Sequence, residues 1–173
     1  MAPDLAALLK FAMPAFGIAV VLRRFGRGPL LAGSLKLPTV PRTVPWLLLY
    51  VGWMLATNAA IGWRGPWDFA PWRAAPLTAS VLRVLAVVVA GPILEELVFR
   101  GMAWPALARS AVGPAVATMV TAIGWSLLHW SYEPVVIGVI MVAGVILGAA
   151  RWRSGSVFLP IGMHMIWNAF AIW

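Results

Sequence analysis

Apolar residues run through this chain in long blocks, separated by short clusters rich in Arg, Gly and Pro. A helix that crosses a membrane needs roughly 20 predominantly apolar residues. Six blocks approach that length: residues 5–22, 46–63, 77–107, 113–130, 134–150 and 157–173. The first is marred by Lys10 and Pro14, and if it does not insert, five spans remain. Residues 23–45 lack a helical period and read as a loop. Residues 64–76 read as a second loop, whose Trp67 and Trp72 suit a membrane interface. The pattern predicts an all-α fold, a polytopic membrane helix bundle of about six transmembrane helices. It forms one integral membrane domain over residues 1–173, with two spans and their loops in 1–75 and a core in 76–173. There is no convincing internal repeat and no low-complexity segment.

Composition agrees: 62% of the 173 residues are hydrophobic and 10% are charged, where a soluble domain has about 25% charged. With no cysteine there is no disulfide framework, no thiolate zinc site and no cysteine nucleophile. The net charge of +8 is spread over loops without a compact patch. It reads as anchoring against anionic lipid and not as nucleic-acid binding. The N-terminus shows no charged leader and no small-residue cleavage site, so the first block reads as a retained span. Arg23, Arg24, Arg27, Lys36 and Arg42 place the first loop in the cytoplasm, and Arg151 and Arg153 fall in the loop after the fifth span. Trp46, Trp63, Trp104, Trp130, Trp152 and Trp173 lie at span ends, as an aromatic belt would. Gly144 and Gly148, four apart, suit close helix packing within the bundle.

Against this background one stretch stands out, Gly91-Pro92-Ile93-Leu94-Glu95-Glu96-Leu97-Val98-Phe99-Arg100-Gly101. A charge at the centre of a membrane helix costs at least about 2.5–3.5 kcal/mol and calls for a partner. Glu96 and Arg100 are four apart and face each other on a helix. Glu95 points about 100° away and must find its partner on another helix. Proline at 92 removes a backbone donor and is expected to free the carbonyl of Val88, kinking the helix one turn before Glu95. The two histidines of the chain both lie in spans: His129 ends the fourth, and His164 lies in the sixth, four residues before Asn168 on the same face. Singly, each polar group would more often be a structural hydrogen-bonder. Together they can do chemistry. A carboxylate beside an imidazole can hold and deprotonate a water, and a second imidazole with an amide can donate to a developing oxyanion. Glu95, His129, His164 and Asn168 would therefore suffice for amide hydrolysis. Helix counting puts Glu95 near mid-membrane, His129 near the outer end of its span and His164 near the inner end of its own. They meet only through tilt or a stagger of roughly one to two turns.

These residues resemble the motifs of the CAAX protease and bacteriocin-processing family of intramembrane proteases (CPBP, or Abi), whose members include the CAAX prenyl protease 2-like enzymes. The motifs are Glu-Glu-x-x-x-Arg, Phe-x-x-x-His and His-x-x-x-Asn. Here they read Glu95-Glu96 to Arg100, Trp125 to His129, and His164 to Asn168. The likeness covers about residues 76–173, which would be the catalytic core. Trp125 stands where phenylalanine is usual and is expected to alter the shape of the pocket more than its chemistry. The resemblance implies an intramembrane endopeptidase in which Glu95 and His129 activate water, His164 and Asn168 form the oxyanion hole, and Glu96 and Arg100 support the site. It implies a membrane-anchored protein or peptide as substrate, no cofactor, and a multi-pass position, expected in a bacterial cytoplasmic membrane. Three rivals use the same residues. A zinc metallopeptidase could draw on two carboxylates and two histidines, but no His-Glu-x-x-His helix is present. A non-enzymatic immunity or scaffold protein would use them to hold the bundle together. A proton-coupled transporter predicts an inverted repeat, which the sequence does not show.

Overall fold

The computed structural model describes residues 33–63 and 70–172, so the span expected over residues 5–22 and the Trp173 end of the aromatic belt lie outside the described residues. The described chain is all-helical, with no strand among the described residues. Its helices are α1 (Val40–Ile61), the short α2 (Ala70–Ala74), α3 (Leu77–Ala108), α4 (Gly113–Leu127), α5 (Pro134–Ser154) and α6 (Phe158–Ile172). Of these, α1, α3 and α5 are long and apolar enough to cross a membrane, and α4 and α6 are shorter apolar helices. Leu48, Leu55, Leu82, Leu85, Val116 and Val135 face outward, as lipid-facing positions do.

Helix α1 starts at Val40, inside the stretch read as a loop. Two prolines hid it. Pro41 sits in the first turn, where its missing N–H would go unused anyway. Pro45 lies one turn further and removes one bond near an exposed end. The helix stops at Gly62, whose φ of 64° closes the cap through its N–H to the carbonyl of Asn58 at 2.9 Å.

The stagger expected from helix counting is met by unequal helix lengths. Helices α4 and α6 have 15 residues each, or about 22 Å, while α3 has 32. The indole of Trp104 donates to Thr118 Oγ1 at 3.0 Å and fixes the start of α4 against the end of α3. From that end Glu95 lies about 20 Å back along α3, and His129, just past the end of α4, about 24 Å from the start of α4. The two arrive at one level.

Helix α3 does not keep one register. Leu85–Ala90 and Leu97–Ala103 are π-helical, each just ahead of a proline, Pro92 or Pro105. The N–H of Gly91 reaches back to the carbonyl of Ala86, and that of Trp104 to Phe99, five residues in each case. In that wider register the carbonyls five residues before the prolines are those of Val87 and Arg100, where α-helical spacing would point to Val88 before Pro92. Both are taken by side chains from other helices. Asn168 Nδ2 donates to Val87 O at 2.8 Å, and Arg151 Nε to Arg100 O at 3.0 Å. Arg151 also donates to Ser34 Oγ at 2.7 Å, and Ser34 in turn to Gly101 O at 3.2 Å. Arg151 is therefore a buried member of α5 and not a loop charge.

Tyr50, Met54, Trp125, Leu147, Met163 and Trp167 form a core drawn from α1, α4, α5 and α6. Gly144 and Gly148 let α5 lie against α4, as their spacing suggested. A Cβ at Gly148 would stand 2.9 Å from Thr118 Cγ2, and one at Gly144 3.1 Å from Ala122 Cβ and from Trp125 Cε3. The aromatic belt is partial. Trp130 and Trp152 are exposed, but Trp104 is buried because Thr118 satisfies its indole N–H.

Candidate active site

The second π segment of α3 follows directly on Glu95 and Glu96, and it contains Arg100. Arg100 Nη1 donates to Glu96 Oε1 at 2.9 Å, the pairing expected at four residues, and both side chains are fully buried. Arg100 Nη2 donates to the carbonyl of Gly144 at 2.9 Å, which fastens the pair to α5. His164 Nδ1 lies 3.1 Å from the same Glu96 oxygen. A carboxylate oxygen accepts, so Nδ1 carries the hydrogen.

Glu95 turns away from this pair and is half-buried. Its partner comes from another helix, as its isolation required. Trp125 Nε1 donates to Glu95 Oε2 at 2.6 Å. His129 sits two residues beyond the end of α4, on the turn that begins at Leu128, and its Nδ1 lies 3.2 Å from the carbonyl of Trp125. A carbonyl can only accept, so Nδ1 carries the hydrogen of that contact.

The indole of Trp125 occupies the centre. Its ring meets His129 edge-on at 5.5 Å and His164 edge-on at 5.2 Å. The guanidinium carbon of Arg100 stands 4.8 Å from the ring centroid, within cation–π range. Beyond His129, Tyr132 stacks at a tilt, 5.5 Å away, on the turn before α5. Burial pushes the Tyr132 phenol above its ordinary range, and the Glu95 charge adds to this.

Five of the six residues expected from the sequence thus converge directly: Glu95, Glu96, Arg100, His129 and His164 are all linked through Trp125 or Glu96. Asn168 is on the same face of α6 as His164, and one of its amide hydrogens is engaged with Val87 O. A second hydrogen on that nitrogen is left. Two participants went unread in the sequence. Trp125 is a hydrogen-bond donor to Glu95 and not only a wall of the pocket. Its signal was present, since tryptophan carries an N–H that phenylalanine lacks. Tyr50 of α1 is buried beside Trp167 at 5.4 Å and lies within electrostatic reach of Glu96, Arg100 and Glu95. A lone tyrosine in an apolar span gave only a weak sign of this. The residues that could bind a metal are Glu95, His129 and His164. Among the described residues no three carboxylate or imidazole groups come together as a ligand set.

The sequence model of one family matches residues 77–170, more than half of the chain, and its description is Type II CAAX prenyl endopeptidase Rce1-like. The matched stretch opens at the first residue of α3, ends within α6 and holds every residue of this site except Tyr50. No curated protein and no solved structure matches the chain.

Proposed function

On the premise that the chain belongs to the Rce1-like family of type II CAAX prenyl endopeptidases, we propose that it hydrolyses a peptide bond with water activated by Glu95 and His129. It is an integral membrane protein of a protease family, and its helices enclose the polar site. The substrate we propose is a membrane-associated protein or peptide, with a prenylated C-terminus as the first class to try.

The chemistry follows from how Trp125 holds these two side chains. Trp125 engages Glu95 Oε2, which leaves Oε1 to take a proton from water. His129 Nε2 accepts the other hydrogen of that water and turns its oxygen toward the scissile carbonyl. Attack forms the C–O bond and places negative charge on the carbonyl oxygen. The free hydrogen of Asn168 Nδ2 and the Nε2–H of His164 are the donors proposed for that oxyanion. With its Nδ1 bonded to Glu96, His164 can offer that second hydrogen only as an imidazolium, in which the Glu96 carboxylate is shared between His164 and Arg100. The proton held by Glu95 then passes to the leaving nitrogen as the C–N bond breaks. Glu96 and Arg100 touch no reacting atom in this scheme and position the site.

One observation carries the reading. The carboxylate of Glu95 and the imidazole of His129 are both held by the same residue, Trp125. The test is cleavage of a farnesylated CAAX peptide by purified chain in liposomes, with products read by mass spectrometry. Cleavage that survives exhaustive chelation and is lost in His129→Ala is expected. Cleavage that stops on chelation and returns with zinc would replace this scheme by a metal-dependent one.

A further inference from the structure

We infer that Trp125 is a positioning residue for Glu95, supplying through its indole N–H an orienting bond that phenylalanine at this motif position cannot make. The inference rests on the reading of Glu95 as the group that takes the proton of water.

Glu95 carries a flexible side chain and, unlike Glu96, has no arginine one turn away to hold it. A carboxylate that rotates freely presents its open oxygen to the water only part of the time. The 2.6 Å bond from Trp125 Nε1 to Oε2 fixes that rotation. Charge-assisted hydrogen bonds of this length are among the stronger kind. The indole is itself held. It is 4% exposed, and Gly144 provides the room for it, since a Cβ there would stand 3.1 Å from Trp125 Cε3. Arg100 lies over its face at 4.8 Å. A donor this constrained can hold Glu95 at one angle, and the same residue's carbonyl sets the tautomer of His129. A misplacement of about 1 Å in a reacting group can cost on the order of 10²-fold in rate.

Trp125→Phe keeps an aromatic ring and removes the donor. Benzothienylalanine at 125 keeps the full bicyclic shape and replaces N–H by sulfur. The expected result for both is a turnover number lower by about 10–100-fold with KM within about twofold, since substrate binding is left in place. In ¹⁵N-indole-labelled protein in micelles, the Trp125 indole resonance, assigned by its loss in Trp125→Phe, should shift in Glu95→Gln, because the acceptor loses its charge. A packing role alone would not link that resonance to residue 95. Full turnover in the benzothienylalanine protein, or an indole resonance unmoved by Glu95→Gln, would overturn the inference. Glu95→Gln assayed alongside separates the two levels. If it is inactive while the benzothienylalanine protein is fully active, the inference fails and the water-activation scheme stands. If Glu95→Gln is itself active, the scheme fails and the inference with it.

Discussion

Arg151 donates from Nε to the backbone carbonyl of Arg100, 3.0 Å away on a different helix. That carbonyl is the one Pro105 leaves without a donor in the π register of α3. A second arm of the same guanidinium holds Ser34, which caps the next carbonyl, Gly101. The helix that bears Glu95, Glu96 and Arg100 is therefore locked from outside at the point where its own ladder is interrupted. Asn168 does the same for Val87 ahead of Pro92. The site lies between these two locks.

Arg151→Met should be destabilising. It removes two bonds from a charged donor, each worth about 1.5–3 kcal/mol, and leaves Arg100 O without that donor. A loss of about 2–5 kcal/mol follows. Thermal unfolding in detergent reads it, and Ser34→Ala should cost less. Wild-type melting of Arg151→Met would show that the carbonyl is satisfied without it.

Close approach of α4 and α5 makes a paired prediction. In Gly148→Ala the new methyl would meet Thr118 Cγ2 at 2.9 Å, and overpacking of this kind costs about 1–3 kcal/mol. Thr118→Ser removes that Cγ2 but keeps the hydroxyl that accepts from Trp104 and donates to Pro114 O. The double variant should recover most of the loss in melting temperature. Failure of Thr118→Ser to restore it would place the strain elsewhere.

How much of this was legible follows from what each inference required. The Glu96–Arg100 bond needs only two letters four apart, and the structure has it at 2.9 Å. The need of Glu95 for a partner on another helix was legible too, because a lone carboxylate in an apolar span must be satisfied. The identity of that partner was not, since the indole of Trp125 was read as bulk. The Gly144 and Gly148 stripe was readable as packing because small residues four apart mark a helix face. That Asn168 caps Val87 O, one residue before the Val88 carbonyl that α-helical counting points to, was not legible, since a π turn leaves no letter of its own. Arg151 was misread because loop charges and buried guanidiniums look alike in sequence. Only the fold reveals a backbone carbonyl as its acceptor.

Arg100→Ala should act mainly on stability. Glu96 is fully buried, and its Oε1 would keep only His164. Breaking a buried pair from one side costs about 3–5 kcal/mol. Gly144 O would also lose its donor. The measurement is thermal unfolding beside turnover of whatever protein remains folded. Normal stability with selective loss of turnover would mean that Arg100 contacts substrate.

Asn168→Ala removes a proposed oxyanion donor and the cap on Val87 O together. Turnover should fall about 10²–10³-fold. Asn168→Asp can accept but cannot donate from an ionised side chain, so it should be equally impaired. Asn168→Asp at wild-type rate would remove this residue from the oxyanion site.

In the proposed scheme Glu95 takes the proton of the attacking water. Glu95→Gln keeps the shape of the side chain and an oxygen to accept from Trp125, and it cannot serve as the base. The direct measurement is the single-turnover rate of purified Glu95→Gln on a farnesylated CAAX peptide in liposomes, with folding checked by thermal unfolding. A folded protein with no detectable cleavage is the expected result. A folded Glu95→Gln protein that cleaves at the wild-type rate would contradict it.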